Sequence, residues 1–393
     1  MPIDDATWRL PEELVALKRS VASFMEKEVR PREEELPYDS YSFPEEQISV
    51  MRQKARQSGL WAMYSPAEYG GAGLSVLGKC VVAEEAAKCR MGAYAPAGGA
   101  FGWDPPNVIF DGTQEQIDKY AVPAIERGDR KTFVAISEPA GGSDPGRSIS
   151  TTAVLDGDEW VLNGTKLWIS GADSARWGIV FARSRPGRGR DGISCFIVET
   201  DTPGFSARPV GVIRAWSPCE VHFDDVRIPA SNLLGEEGQG FKTAERWLVA
   251  ARPPYAAGTL GVAQAALEIA VDYAKGRETF GSPLASKQAV QWMLADSEIE
   301  IRAARHLVYE AAGKADRGEE FKTEASIAKV FATETAGRVV DRCIQVLGGM
   351  GVSKEMPLER WYREMRIKRI GEGPSEVHRM VVARHLLGKS MKG

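Results

Sequence analysis

The sequence predicts an α+β fold in three successive parts: an amino-terminal helical domain over residues 1–130, a middle antiparallel β-sheet or barrel domain over 131–240, and a carboxy-terminal helical bundle over 241–393. Three observations carry this. Apolar residues recur at helical spacing at both ends of the chain, the period changes to short β-type runs between Gly, Pro and Asp from about residue 131, and 393 residues at 43% hydrophobic content exceed what one core needs.

In the first part, Leu14, Leu17, Val21, Phe24 and Met25 fall on one helical face, and a second helix is expected after Pro44 with Ile48 and Met51 buried. The Gly-rich segment Pro66–Ser75 cannot continue a helix, whereas Gly112–Gln116 reads as a cap that opens a short helix towards Pro123. In the middle part, Thr152–Leu155 and Trp160–Leu162 flank Asp156–Glu159 as a hairpin, and Asn163-Gly164 marks a second turn. Trp177–Phe181, Ile193–Val198 and Val221–Phe223 add strands, and the domain closes near Gly240. Beyond it, Val290, Met293, Leu294, Ile301, Ala304, Leu307 and Val308 form one apolar stripe, and Ala328, Phe331, Thr335, Val339 and Ile344 form another, as packed helices require.

Composition excludes several function classes. A formal charge of −4 weighs against a protein that neutralises many phosphates, so nucleic acid is not an expected partner. Cys80, Cys89, Cys195, Cys219 and Cys343 show no paired spacing, which fits reduced core thiols and no metal site. No apolar run approaches the ~20 residues of a membrane span. The start, Met1–Thr7, is acidic and unlike a signal, so a cytoplasmic location is expected, or the mitochondrial matrix for a processed eukaryotic chain.

Five segments carry chemistry. Phe133–Asp144 runs from a short buried strand into a Pro/Gly-rich turn, where backbone donors with Ser137 and Ser143 suit a planar or anionic ligand. Lys166–Ser170 places Trp168 and Ser170 after the Asn163-Gly164 pair, and Arg277–Gly281 with Gln288 offers a cationic fork beside the aromatic face of Phe280. Gln345–Gly351 ends a helix in a glycine cluster, and Arg369–Glu376 holds Glu372 in a Gly-rich loop. No strand–GxGxxG–helix unit opens the chain, which disfavours a Rossmann dinucleotide fold.

Together these segments, spread over most of the chain, resemble the acyl-CoA dehydrogenase family. The resemblance implies FAD as cofactor, with Ser137, Gly142 and Ser143 in its signature turn, and Trp168 and Ser170 against the isoalloxazine ring. It also implies that Arg277, Phe280 and Gln288 reach the cofactor of a neighbouring subunit, in a homotetramer or homodimer, and that Gln345, Gly348 and Gly349 meet the ADP portion. Glu372 takes the place of the family's catalytic base, while Ser143, Arg252 and Gly373 fall on the substrate side. Some members carry the base on an earlier helix, but that position here is Ala251.

The implied reaction is α,β-dehydrogenation of an acyl-CoA thioester to a 2-enoyl-CoA, with electrons passed to an electron-transfer flavoprotein. A positioned base is needed because the α-proton is weakly acidic, and burial is expected to raise the pKa of Glu372. Two alternatives stand beside it: a flavin oxidase or monooxygenase of the same fold, and a flavin-binding interaction protein without turnover.

Several residues depart from the pattern. Six residues separate Asp144 from Thr151, one more than the resemblance suggests, with Arg147 in a place usually small. Gly371 stands where a bulky aromatic often precedes the base, Pro253-Pro254 is expected to distort the start of its helix, and Phe101–Pro106 is a candidate cap on the acyl cavity, Asp104 being equally open to reading as the sign of a polar acyl group. Glu376, His378 and His385 read as a solvated helix face.

Overall fold

The computed structural model describes residues 10–187, 189–214 and 216–391, so the acidic start Met1–Thr7 lies outside the described residues. Contacts gather the chain into two compact units, one comprising the chain up to Leu60, Leu74–Phe101 and the chain from Val249, the other comprising Trp61–Gly73 and Gly102–Leu248.

The first unit is helical. Helix α1, Glu12–Phe24, passes into a wider π-turn at Met25–Val29, and α2, Glu45–Gln57, begins directly after Pro44 as expected. Glu45 and Glu46 in the first turn of α2, and Lys54 and Arg56 in its last, complement the helix dipole. Helix α3, Val76–Ala86, is capped by Ser75, and the Asp316 carboxylate accepts from the backbone N–H groups of Val76 and Leu77 at 2.6 and 3.0 Å. Helix α4, Gly240–Gly276, belongs to this unit from Val249 onward and is continuous through Pro253 and Pro254.

Helices α5, Gln288–Asp316, and α6, Lys322–Leu347, follow, then α7, Leu358–Lys368, and α8, Ser375–Leu387. Leu267, Ala270, Ile301, Ala336, Val340, Trp361 and Met365 share one buried core across α4 to α7. Small Ala side chains on α4 and α6 let the helices approach closely; the stripes predicted on α5 and α6 are buried at Ile301, Ala304, Val308, Ala328, Thr335 and Val339.

The second unit is built on a seven-stranded sheet. Its strands are β1, Thr132–Ala135; β2, Thr152–Asp156; β3, Glu159–Ser170; β4, Trp177–Arg183; β5, Ile193–Glu199; β6, Phe205–Pro209; and β7, Pro218–Pro229. Pairing is antiparallel for β2–β3, β3–β7, β6–β7 and β4–β5, whereas β1 runs parallel to β4. The expected hairpin is present. The second turn is not: Asn163 and Gly164 lie inside β3, where the register against β7 shifts between Leu162 and Gly164. Gly164 has φ +147°, and a Cβ there would lie 2.5 Å from Thr151 Oγ1, so glycine serves a bulge and a close contact, not a reversal.

Strand β4 explains how this unit carries two cores. Val180 and Ala182 point with Phe196 and Val198 of β5 into a cluster with Leu162, Val221 and Phe223. Trp177, Ile179 and Phe181 point the other way, with Ile193, Cys195 and Ile197, into a cluster with Val108, Ile117 and Tyr120. Alternation of period 2 in strands buried on both faces produces this division. The cap at Thr113 forms as predicted, with Thr113 and Gln116 bonded reciprocally, but the helical stretch runs through a π-turn and past Pro123 to Arg127. All five cysteines are buried and free. Among the described residues, no helix is long and apolar enough to cross a membrane.

Candidate active site

In the sheet unit, the turn after β1 is fixed by a buried ion pair. Glu138 and Gly141 exchange backbone hydrogen bonds of 3.3 and 3.1 Å, closing the Pro/Gly turn. The Glu138 carboxylate accepts from Lys166 Nζ at 2.8 Å, from the N–H and hydroxyl of Ser150 at 2.7 and 2.6 Å, and from the N–H of Thr151 at 3.0 Å. Burial alone would raise this carboxyl, but the Lys166 ammonium and the hydrogen bonds outweigh it and hold the pKa at about 2. Lys166 Nζ also donates to the Ile136 carbonyl at 3.0 Å, and the N–H of Leu167 donates to the Ser137 carbonyl at 2.9 Å.

The turn holding Ser137, Gly142 and Ser143 is thereby tied to the strand that carries Trp168 and Ser170. Trp168 is 55% exposed with φ +68°, an uncommon conformation for a bulky residue, and the Ser170 hydroxyl accepts from Arg214 Nη2 at 3.0 Å. An exposed indole beside a turn fixed by hydrogen bonds offers a flat apolar face to solvent. The extra loop residue is absorbed by a single helical turn, Pro145–Ser148, with Arg147 exposed near Asp144.

The Asp104 carboxylate is occupied in holding the fold, accepting from the N–H of Tyr64 at 3.1 Å and the hydroxyl of Ser65 at 2.6 Å. The sign of a polar acyl group expected from it is therefore absent at this residue. Trp103 stacks under Arg130, and Phe101 packs on Phe24.

In the helical unit, Glu372 is half-buried in the loop between α7 and α8, with φ +57°, and its Oε2 is buried without a hydrogen-bond partner. Burial raises its pKa above the ordinary carboxylate value, while Arg252, Lys368 and Lys329 act in the opposite sense. Arg252 acts on Glu372 electrostatically, and Gly373 follows it in the same loop. Tyr255 belongs to the same cluster: Lys368 Nζ lies 4.3 Å from its ring centroid, and its hydroxyl donates to the Lys368 carbonyl at 3.4 Å. A Cβ at Gly371 would sit 2.7 Å from the Tyr255 hydroxyl, so the space vacated by the expected aromatic is taken up by Tyr255 from α4.

The reading of His378 as solvated is overturned. His378 has no exposed surface, while Glu376 and His385 are exposed. Its Nε2 donates to the Glu372 carbonyl at 3.1 Å, which fixes the neutral tautomer, and burial together with Arg252 and Lys329 holds its pKa down at about 4. Sequence reasoning also missed Lys329 and Lys368, both buried. For Lys329 a signal exists: it sits on the same face of α6 as Ala325, Thr333 and Ala336, where a helix buries its side chains.

The remaining predicted residues lie elsewhere on this unit. Arg277, Phe280 and Gln288 occupy the tight hairpin Glu278–Pro283 and the start of α5, all exposed, with Phe280 wholly so at φ +51°. Gln345, Gly348 and Gly349 are exposed at the end of α6.

Three family models match in order along the chain: acyl-CoA dehydrogenase N-terminal domain over residues 11–128, middle domain over 134–226, and C-terminal domain over 238–387. The chain is 41% identical over 384 residues to the short-chain specific acyl-CoA dehydrogenase, mitochondrial, of Bos taurus, covering 96% of this chain and 91% of that protein. Among solved structures, butyryl-CoA dehydrogenase from Megasphaera elsdenii is 35% identical with a TM-score of 0.84, covering 97% of this chain and 99% of that one. A chain from the study of the electron transferring flavoprotein of Acidaminococcus fermentans is 36% identical with a TM-score of 0.86, over 97% and 99% of the two chains.

Proposed function

The chain belongs to the acyl-CoA dehydrogenase family, and from that premise we propose that it is an FAD-dependent enzyme that converts a short-chain acyl-CoA to the 2-enoyl-CoA, with Glu372 as the base. The observation that carries this reading is the Glu372 carboxyl, desolvated, unbonded at Oε2 and under the electrostatic influence of Arg252, Lys329 and Lys368. Burial raises proton affinity towards that needed to accept an α-proton, while three cations keep the carboxylate ionisable. The two effects oppose each other, which leaves a base neither spent nor inert.

The residues present suit the cofactor: Ser137, Gly142, Ser143, Trp168 and Ser170 form a rigid polar turn beside an exposed indole, which would hold the flavin ring. Arg277, Phe280 and Gln288 present a cation, an aromatic face and an amide to solvent, and Gln345, Gly348 and Gly349 present backbone groups, as binding to a pyrophosphate and adenine requires. FAD, when bound, supplies the acceptor for the hydride from the substrate's β-carbon. Glu372 takes the α-proton at its carboxylate, and its N–H is assigned to the thioester oxygen, where charge accumulates.

Ser143, Arg252 and Gly373 are assigned to the acyl-CoA. The short-chain relative and the butyryl-CoA dehydrogenase neighbour support a short acyl group, and Tyr255 filling the space beside Gly371 agrees with a narrow pocket. The electron transferring flavoprotein neighbour supports such a protein as electron acceptor. The fully exposed Phe280, with Trp292 and Ile299 exposed on α5, supports a homotetramer or homodimer. The family-model spans support boundaries near residues 131 and 240. A cytoplasmic location, or the mitochondrial matrix for a processed eukaryotic chain, accompanies this reading, and the Bos taurus relative is mitochondrial by name.

Purified protein is expected to be yellow and to bleach anaerobically with butyryl-CoA. Glu372→Gln should stay yellow and fail to bleach. Normal bleaching by that variant would remove Glu372 as the base, and rapid reoxidation in air with stoichiometric peroxide would favour an oxidase.

A further inference from the structure

Lys329 has no exposed surface, although its neighbours on the inner face of α6, Ala325, Ala328, Ala332 and Ala336, are small and apolar. An ammonium in such a place is costly unless its donors are used. Lys329 Nζ donates to the Gly373 carbonyl at 2.7 Å and lies 5.9 Å from the Tyr255 ring centroid. His378, equally buried, donates Nε2–H to the preceding carbonyl, that of Glu372, at 3.1 Å. Two consecutive carbonyls of one loop are therefore each held by a buried side chain from a different helix.

The loop needs holding. Glu372 and Gly373 both have left-handed backbone, φ +57° and +93°. For a non-glycine residue that conformation costs on the order of 1 kcal/mol or more and persists only where the surroundings enforce it.

We propose that Lys329 and His378 are positioning residues that clamp the two carbonyls of the Glu372–Gly373 segment and so fix the direction in which the Glu372 carboxylate projects. This rests on Glu372 as the base. The charged groups around that carboxyl are Arg252 from α4, Lys368 from α7 and Lys329 from α6, with Glu334 acting on Lys329; His378 from α8 is neutral. Loss of the Lys329 charge therefore removes one of three cations that favour the ionised carboxylate, and its proton should come off at higher pH.

The test is Lys329→Met in the FAD-loaded protein. The variant should stay yellow, bleach with butyryl-CoA at least about tenfold more slowly, as loss of one charge-assisted hydrogen bond predicts, with little change in half-saturation. The acid limb of its rate profile should move to higher pH, and the amides of Gly371, Glu372 and Gly373 should exchange with deuterium faster. His378→Leu should behave alike in rate and exchange, with His378→Gln, which keeps an N–H donor, restoring both.

Wild-type rate, acid limb and exchange in Lys329→Met would overturn the clamp. If that variant does not fold, His378→Leu carries the test alone: wild-type rate and wild-type exchange at Gly371, Glu372 and Gly373 there overturn the proposal. Glu372→Gln separates the two ideas: inactive Glu372→Gln with unaltered Lys329→Met sinks only the clamp. Active Glu372→Gln sinks the base, while deuterium exchange still scores the clamp.

Discussion

Replacing Glu138 with Ala tests whether the signature turn stands on its buried ion pair. Glu138 is 4% exposed and Lys166 not at all, and the substitution leaves the ammonium with the Ile136 carbonyl as its remaining hydrogen-bond partner while orphaning the N–H groups of Ser150 and Thr151. Removing one partner of a buried pair costs about 3–5 kcal/mol. The low pKa of the same carboxyl agrees in size: held at about 2 in the folded protein, against its ordinary value of 4.5, it would contribute about 3 kcal/mol at neutral pH. Because the folded pKa is the lower one, that contribution is present above the ordinary value and is lost as pH falls towards 2.

Urea unfolding followed by tryptophan fluorescence should show a loss of about 4 kcal/mol, or a fall of roughly 10 °C in Tm, for Glu138→Ala. The double variant Glu138→Gln with Lys166→Met leaves no buried charge and should lose less than Glu138→Ala alone. A loss below about 1 kcal/mol, the range of exposed ion pairs, would refute the assignment.

Two further outcomes follow from the helical unit. His378, held at about 4 against an ordinary 6.5, makes the unfolded chain bind the extra proton in that window, so stability should fall by about 3 kcal/mol as pH drops from 6.5 to 4; that part should vanish in His378→Gln, as measured by urea midpoints across pH. Gly371→Ala would place a Cβ 2.7 Å from the Tyr255 hydroxyl, so a loss of about 1–2 kcal/mol is expected, recovered by Tyr255→Leu; equal losses in the single and double variants would contradict the contact.

Much of the fold was legible because burial and period coincide. Trp177–Phe181 and Ile193–Val198 read as strands from composition and punctuation alone, and both are buried on two faces. Asn163-Gly164 misled because that dipeptide is a strong hairpin signal, whereas the missing Cβ here accommodates Thr151 across the bulge. Strand β6, Phe205–Pro209, escaped notice because an edge strand exposing Ser206 and Arg208 carries little apolar pattern. His378 and Lys329 were hidden for another reason: each answers a backbone carbonyl in a left-handed loop, and neither that conformation nor its partners register in hydrophobic spacing.

The alternation along β4 also limits how this protein can change length. A one-residue insertion within Trp177–Arg183 would exchange the contents of two interiors at once, sending Ile179 and Phe181 into space shaped for Val180 and Ala182. Most strands have a wet side that can absorb such a slip, and this one has none. Tags, linkers or grafted peptides belong at the Gly157-Asp158 turn, where both residues are exposed and the chain already reverses.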